Sequence, residues 1–395
     1  MKPLAISNGS SDLELLGAAK SVVTKGSPEA AAALAEVLAK SGVIISHHSK
    51  VTADVASTGG PTSLSTLLCP LYLCAAGVRV PKLGVPGRPA GGIDCLAQIQ
   101  GYRYQLSSRE VERVLDRCGF AHFIANGDMA PLDGRLFRLR QEAGMQNIPI
   151  LAVASILSKK LAVGVGRVGL DVRVAPWGNF GSNDDEALSS AALFRSAAAL
   201  HQIEAFTFLT DGTQPYQPLV GRAESMCALA RVFDGRHDPS LESHNRQCME
   251  MAAATSGKPD VVRGISQIAL RSAFAANLSA QGSSIDAFDE LVEVTTNAHR
   301  YVIVASCEIY FDADLPLLRD VMVRAQRDRL LSGNAEFPDP IGIEMLRKPA
   351  ETVAAGTALA AVRATEPIWD KYGADLTRAL DRSSDMNDLR KSRND

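Results

Sequence analysis

The chain has 395 residues, of which 46% are hydrophobic, 22% charged and 5% aromatic, as in an ordinary globular protein of two or three domains. Its formal net charge of −3 excludes a general positive field for nucleic acid or an anionic membrane, so any phosphate site has to be local. No apolar run reaches the roughly 18 residues of a membrane span, and the N-terminus lacks the apolar core of a signal peptide. We therefore expect a cytoplasmic protein with no nucleic-acid or membrane partner.

The seven cysteines are scattered, and their number is odd. None belongs to a Cys-x-x-Cys pair, and no His and Cys spacing fits a zinc site. We expect reduced thiols, no metal and no bound cofactor.

The first third of the chain alternates between helix and strand. Helical patterns cover residues 1–45, and a β-branched strand then runs into the loop "STGG" at 57–60. An apolar helix follows over 65–77. After a short strand comes a second glycine loop, "GRPAGG", at 87–92.

The alternation continues to the C-terminal region. A strand at 120–126 precedes two helices, the second of which covers 152–163, and "VGLDVRV" is the next buried strand. The section 220–300 is mainly helical, and "YVIVASCEIYF" is predicted as one strand. Strands that alternate with helices indicate an α/β fold with parallel strand pairs.

Ser155 and Lys159 lie on one face of a mostly apolar helix, four residues apart. Arg140 lies on the preceding helix, and an antiparallel pair would bring guanidinium, hydroxyl and ammonium groups together. Such a set of donors suits a planar ring with carbonyl oxygens. The alternative is that these cations, together with Lys160, form a solvated face.

The "STGG" loop lies between a strand and a helix, where backbone amides and the helix N-terminus can hold an anion. Ser57, Ser65 and Thr66 would add hydroxyl donors, although "STGG" is also an ordinary turn. In the second loop Arg88 is a candidate anion ligand, and the alternative is a plain connection.

Taken together and in this order, these stretches resemble thymidine phosphorylase and pyrimidine-nucleoside phosphorylase. The resemblance covers about residues 50–365. The motifs that carry it are "STGG", "CAAGVRVPK", "GRPAGGIDCLAQIQGY", "APLDGRLFRLRQ", "IPILAVASILSKKLAVG", "LDVRV", "LTDGTQPYQPLVGRAESM" and "PIGIEMLRKPAETVAAGTALAAVRA".

The resemblance implies a small helical domain and a larger α/β domain with a mixed, largely parallel sheet, separated by a cleft. The ranges we expect are 1–45 and 130–165 for the helical domain, 46–129 and 166–335 for the α/β domain, 336–380 for a C-terminal α/β subdomain and 381–395 for a polar tail.

The resemblance also implies a function. It implies a homodimeric pentosyltransferase that carries out reversible phosphorolysis of a pyrimidine-like nucleoside, with inorganic phosphate as co-substrate. Arg140, Ser155 and Lys159 match the residues that hold the base. The phosphate side matches Ser57, Gly59, Gly60, Ser65 and Thr66, with Arg88 as a further candidate. No catalytic residue is assigned.

The chain departs from the family on the phosphate side. Val55 and Ala56 stand where the family has a Lys-His pair, so that Arg88, Lys82 or Arg79 would have to replace the lost charge. The departures leave alternatives open: a phosphate-independent nucleoside hydrolase or transferase, and a non-catalytic protein that binds a pyrimidine or nucleoside. A further alternative is anthranilate phosphoribosyltransferase chemistry.

Overall fold

A computed structural model shows an α/β protein with parallel sheets and many helices, which confirms the predicted fold class. The structure describes residues 4–47, 51–87, 89–125, 127–236, 238–333 and 336–382.

Within these residues helices and strands alternate along the chain. The helices are α1 (Asp12–Lys25), α2 (Pro28–Lys40), α3 (Ser65–Ala75), α4 (Gly92–Leu96), α5 (Ser108–Cys118), α6 (Pro131–Glu142), α7 (Pro149–Ala162), α8 (Asp184–Ala199), α9 (Arg222–Phe233), α10 (Pro239–Ser256), α11 (Pro259–Arg263), α12 (Gln267–Ala280), α13 (Ile285–Asn297), α14 (Leu315–Leu331) and α15 (Glu366–Leu380). The strands are β1 (Ala53–Ser57), β2 (Val80–Leu83), β3 (Gln105–Leu106), β4 (Phe120–Ala125), β5 (Arg167–Val174), β6 (Glu204–Asp211), β7 (Leu219–Val220), β8 (Arg300–Val304), β9 (Ile309–Tyr310), β10 (Gly342–Met345), β11 (Thr352–Val353) and β12 (Ala358–Arg363).

Local sequence signals explain where several helices begin. Ser27 caps α2 through a hydrogen bond to the Ala30 amide, and Pro28 occupies the first turn. The helix that carries Ser155 begins at Pro149, three residues before the predicted start, because proline is already in a helical conformation and needs no amide partner there.

Two parallel sheets form the centre of the molecule. Their strand orders are β1-β5-β6 and β2-β4-β3. A single parallel bridge between Thr52 and Arg79 joins them. Because all pairs in these sheets are parallel, the carboxyl ends of β1, β5 and β6 lie at one edge.

The antiparallel strands do not mix with the parallel ones. They form separate sheets, β7-β10-β12-β8 and β11-β9. The stretch "YVIVASCEIYF", predicted as one strand, contains both β8 and β9, which belong to different sheets.

In the part of the chain that the structure describes, apolar side chains form three large buried clusters and a small one of Ala39, Ala130 and Ala162. One combines α1, α2, α6 and α7 with β5 and α8. A second surrounds α3, α9, α10 and α12. The third contains the C-terminal strands and α15, and it also takes in α14, which precedes the expected domain boundary at residue 336. The division into domains stays a prediction.

The seven cysteines are free thiols, and of these Cys307 is exposed. Among the described residues, no helix is both long enough and apolar enough to cross a lipid bilayer.

Gly169 lies in β5 between β1 and α10, where close packing leaves no room for a side chain. A Cβ atom at this position would lie 2.6 Å from Thr255 Oγ1 and 3.0 Å from Val55 Cγ2. We expect Gly169→Ala to lower the free energy of unfolding by about 1–3 kcal/mol, because this core cannot expand without strain. Urea unfolding monitored by circular dichroism measures the change.

Gly17→Ala is the matched control, because a Cβ atom at Gly17 in α1 has no neighbour within 4 Å. Alanine is the better helix former, so this variant should gain roughly 0.5–1 kcal/mol. Equal responses of the two variants would contradict the packing argument.

Candidate functional site

Lys159 and Lys160, neighbours on α7, bind different elements. Lys159 Nζ donates to Asp133 on α6, and Lys160 Nζ donates to Asp54 on β1. Their side chains are 13% and 5% exposed. The alternative of a solvated cationic face is therefore wrong.

Asp133, Ser155 and Lys159 form what we call the base-side cluster. Besides the bond to Asp133, Lys159 Nζ donates to the carbonyl and the hydroxyl oxygen of Ser155, each at 2.9 Å. Burial lowers the pKa of Lys159, and the Asp133 carboxylate partly offsets this. Because Ser155 Oγ accepts from Lys159, its own proton can be donated elsewhere, and no acceptor for it is found among the described residues.

Arg140 lies beside this cluster, but its guanidinium group donates hydrogen bonds to the backbone. The side chain is buried, and it donates to the carbonyl oxygens of Met145 at 3.3 Å, Gln146 at 3.1 Å and Leu151 at 3.0 Å. Arg140 thereby holds the turn between α6 and α7 and sets the position of α7. Its contact with a base stays a prediction.

Asp54, Lys82 and Lys160 form a second buried group, the Asp54 triad. Lys82 Nζ donates to Asp54 Oδ1 and to the Val55 carbonyl, each at 2.7 Å. Burial would raise the pKa of Asp54, but the ammonium groups of Lys160 and Lys82 hold it below its ordinary value. The triad ties α7 to β1 and β2, and it occupies the Lys82 ammonium that the sequence suggested for phosphate.

His122, on β4, is a buried histidine near the second glycine loop. A Cβ atom at Gly92 would lie 2.6 Å from His122 Cε1 and 3.0 Å from Thr66 Oγ1, so glycine leaves room for this ring beside Thr66. Within the part of the chain that the structure describes, His122 Nδ1 has no hydrogen-bond partner. Burial, and then the charge of Lys82, lower the pKa of His122 well below its ordinary value, so the ring is neutral at pH 7.

The first glycine loop follows β1. Ser57 Oγ accepts a hydrogen bond from the Gly59 amide at 3.2 Å, and Thr58 Oγ1 accepts from the Arg173 amide at 2.9 Å. Gly59 and Gly60 are exposed and have φ angles of 110° and 137°, which favour glycine. The loop therefore presents backbone to solvent at the carboxyl end of a parallel strand.

Beneath this loop, Asp171 on β5 accepts four hydrogen bonds from three residues. Ser65 Oγ and Thr210 Oγ1 each donate to it at 2.8 Å, and Arg173 donates through Nε at 3.1 Å and also through Nη2. Burial would raise the pKa of Asp171, but Arg173 and the hydroxyl donors hold it below its ordinary value.

The predicted phosphate ligands are thus separated. Ser57 is half-buried at the end of β1 and Gly59 and Gly60 are exposed, whereas the Ser65 hydroxyl is buried and bound to Asp171. Thr66 is half-buried on the side of Gly92. Arg88 lies outside the described residues.

A cavity of about 510 Å³ opens at the carboxyl ends of β5 and β6. Its lining includes Val174, Thr210, Asp211 and Ser182. Thr210 also donates to Asp171, so the cavity adjoins the polar group below the glycine loop. Ligands of open parallel sheets bind at this edge.

Sequence reasoning missed Asp133, Asp171 and Arg173 as site residues. A signal existed for the last two, because charged residues two apart in the apolar strand "GLDVRV" lie on the same face of a buried strand. Asp133 gave no signal, because a carboxylate in the first turn of a helix is common.

Comparison with known proteins gives relatives over part of the chain. No family model matches. A thymidine phosphorylase from Mycobacterium tuberculosis is 33% identical over 193 residues, which are 48% of this chain and 44% of the relative. A pyrimidine-nucleoside phosphorylase from Staphylococcus haemolyticus is 28% identical over 218 residues, 54% of this chain and 50% of the relative. The chain thus spans about half the length of the curated relatives it matches.

Solved structures of two anthranilate phosphoribosyltransferases align with 72% and 74% of this chain. Anthranilate phosphoribosyltransferase from Thermus thermophilus aligns with a TM-score of 0.45 and 15% identity, over 72% of this chain and 95% of that chain. The enzyme from Saccharomyces cerevisiae aligns with a TM-score of 0.46 and 15% identity, over 74% and 89%.

The Asp54 triad generates a stability prediction. We expect Asp54→Asn to lower the free energy of unfolding at pH 7 by about 3–5 kcal/mol, because it leaves the ammonium groups of Lys82 and Lys160 buried without a carboxylate. Chemical denaturation measures this. Asp320→Asn is the control, because Asp320 pairs with Arg324 along α14 and the two side chains are 61% and 43% exposed, which makes a change below about 1 kcal/mol the expected result.

The same comparison has a pH dependence. The pKa of Asp54 is lower in the folded chain than the value of about 3.9 in an unfolded one. The stability it supplies is therefore present above about pH 4 and is lost as the pH falls further. The gap between the wild type and Asp54→Asn should narrow in acid, and a gap that widens there would contradict the assignment.

Proposed function

We propose that the chain is a pentosyltransferase that cleaves a pyrimidine-like nucleoside, with inorganic phosphate as the acceptor of the pentose. Its sequence is similar, over about half its length, to proteins named thymidine phosphorylase and pyrimidine-nucleoside phosphorylase. The observation that carries the proposal is the base-side cluster, in which an ammonium and a hydroxyl group lie 2.9 Å apart on one face of α7.

The base-side cluster has the chemistry to bind the carbonyl edge of a pyrimidine. The Ser155 hydroxyl would donate to one carbonyl oxygen of the base. Lys159 Nζ would exchange one of its two hydrogen bonds to Ser155 for a bond to a second carbonyl oxygen of the base. Asp133 keeps the ammonium group in place and favours its charged form. Neutral carbonyl oxygens thus meet donors that are already oriented.

The phosphate side of the proposal lies at the first glycine loop. Asp54, which is bound to Lys160 of α7, precedes Ser57 of the loop by three strand residues, or about 10 Å. Base and phosphate would therefore occupy neighbouring ends of one site. A phosphate oxygen would form a bond to the anomeric carbon while the bond from that carbon to the base nitrogen breaks and its electron pair leaves with the base.

A second candidate function is phosphate-independent hydrolysis at the same site. Val55 is fully buried and Ala56 is half-buried, so neither of the residues directly before "STGG" supplies a charge for phosphate. Water would then take the place of phosphate as the attacking group.

Release of free base from thymidine and from uridine, measured with and without inorganic phosphate, tests the proposal. We expect release that requires phosphate and yields a pentose phosphate, because the acceptor supplies the attacking oxygen. Release at the same rate without phosphate would support the hydrolase instead. Stabilisation of the fold by nucleosides with no release at all would contradict both and indicate a binding protein.

Side-chain variants test the base-side cluster. We expect Ser155→Ala to weaken nucleoside binding roughly 2- to 10-fold and Lys159→Ala roughly 10- to 100-fold, because the second removes a charged donor. Arg140→Ala should weaken binding as well, since it holds the turn before α7. Isothermal titration calorimetry with a pyrimidine nucleoside measures the dissociation constants.

Ser158→Ala is the matched control on the same helix. Ser158 is buried and donates its proton to the Ser155 carbonyl at 2.9 Å, so its loss removes a bond within α7 but no ligand donor. Nucleoside affinity that is unchanged in both Lys159→Ala and Arg140→Ala would remove the assignment of the base side.

A further inference from the structure

Arg173, near the end of β5, has a buried guanidinium group with one nitrogen unused. Its side chain is 6% exposed. Nε and Nη2 donate to Asp171, and Nη2 also donates to Ser63. Among the described residues, Nη1 has no hydrogen-bond partner. A buried cationic donor without an acceptor costs free energy, which calls for an explanation.

The guanidinium group is fixed before any ligand arrives. The ring of Tyr216 lies against it, with Arg173 Cζ 4.1 Å from the ring centroid. Asp171, which holds the other edge, is itself held by Ser65 and Thr210. Because these contacts prevent the side chain from turning, the direction of Nη1 is set by the fold.

Nη1 points to the exposed backbone of the first glycine loop. A Cβ atom at Gly60 would lie 3.0 Å from Nη1 and 3.3 Å from Cδ of Arg173. At Gly59 a Cβ atom would have no neighbour within 4 Å, so the space beside this residue is open. Nη1 is therefore buried directly against Gly60, a residue that is itself exposed.

The start of α3 does not add a second anion ligand, because its first amides are largely used. The Leu64 amide donates to His244 Nε2 at 2.9 Å, and the Ser65 amide donates to Ser63 Oγ at 3.1 Å. The Leu67 amide donates to the Leu64 carbonyl at 2.9 Å. An anion site at this loop therefore rests on the guanidinium group of Arg173.

The other buried cations near the site are already paired. The ammonium groups of Lys82 and Lys160 donate to Asp54, and that of Lys159 donates to Asp133 and Ser155. Arg173 also has a carboxylate, but its planar group has donors on two edges, and one of them is left over.

We infer that Arg173 is the cation that holds inorganic phosphate at the Gly59–Gly60 loop, with Nη1 donating to a phosphate oxygen. In this role Arg173 replaces the lysine that the phosphorylase family has directly before the loop, at the position of Val55 in this chain. The glycine backbone shifts to let the anion reach Nη1. That this anion is the acceptor in catalysis rests on the proposed function, whereas its binding does not. Asp171 positions the guanidinium group, and because its carboxylate balances the single positive charge of Arg173, it also lowers the affinity for the anion.

Calorimetric titration of the full chain with inorganic phosphate tests the inference. We expect saturable binding by the wild type and roughly 10- to 100-fold weaker binding by Arg173→Lys, which keeps the charge but has one nitrogen where two are needed. Arg167→Lys is the matched control, because Arg167 begins the same strand, pairs with Glu204 and stacks on the Phe206 ring. Its phosphate affinity should equal that of the wild type.

Gly60→Ala is a second variant that leaves the guanidinium group intact. Its Cβ atom would obstruct Nη1 and oppose the φ angle of 137°, so we expect phosphate binding to weaken at least tenfold. No saturable binding by the wild type, or wild-type affinity in Arg173→Lys, would overturn the inference. If Arg173→Lys does not fold, wild-type affinity in Gly60→Ala overturns it.

The two proposals fail separately. Base release that needs no phosphate, combined with phosphate binding that depends on Arg173, would contradict the proposed function but support the anion site. Phosphate-dependent release of base, with a KM for phosphate that is unchanged in Arg173→Lys, would support the proposed function but contradict the role of Arg173.

Discussion

The buried carboxylate of Asp54 is the interaction on which the rest of the site depends. It accepts from Lys160 on α7 and from Lys82 on β2, while its own strand leads directly into the first glycine loop. Buried ammonium groups need a carboxylate partner. If α7, β1 and β2 separated, a charged group would be left buried without its partner. The position of α7 relative to the glycine loop follows from this pairing.

The same rule applies to the other buried cations of the site except Arg140, whose N–H groups donate to backbone carbonyl oxygens instead. Lys159 has Asp133, and Arg173 has Asp171. What differs is the donor capacity that remains after pairing. The hydroxyl proton of Ser155 remains on the side of α7, and Nη1 of Arg173 remains below the glycine loop. One end of the site therefore offers a neutral donor beside an ammonium group, which suits a carbonyl edge, and the other end offers a cationic donor, which suits an oxyanion.

Periodicity and capping residues predicted most elements, because those signals act within a few residues. The start of α2 at Pro28 and the buried strand that became β5 are examples. The charge pairs were not predictable in this way, since Asp54 and Lys160 are 106 residues apart and any of several cations fits a given carboxylate. Helix geometry predicted that Ser155 and Lys159 lie together. The hydrogen bonds from Arg140 to carbonyl oxygens were not predictable, because they depend on the shape of the turn between α6 and α7. The separate antiparallel sheets depended on long-range pairing that alternation alone does not specify.

A crystal structure of the full chain with a pyrimidine nucleoside and inorganic phosphate tests the central claim most directly. The account predicts a carbonyl oxygen of the base within hydrogen-bond distance of Ser155 Oγ or Lys159 Nζ, with the sugar directed towards the Gly59–Gly60 loop. A base bound in the cavity lined by Val174 and Asp211, with no contact to α7, would contradict it.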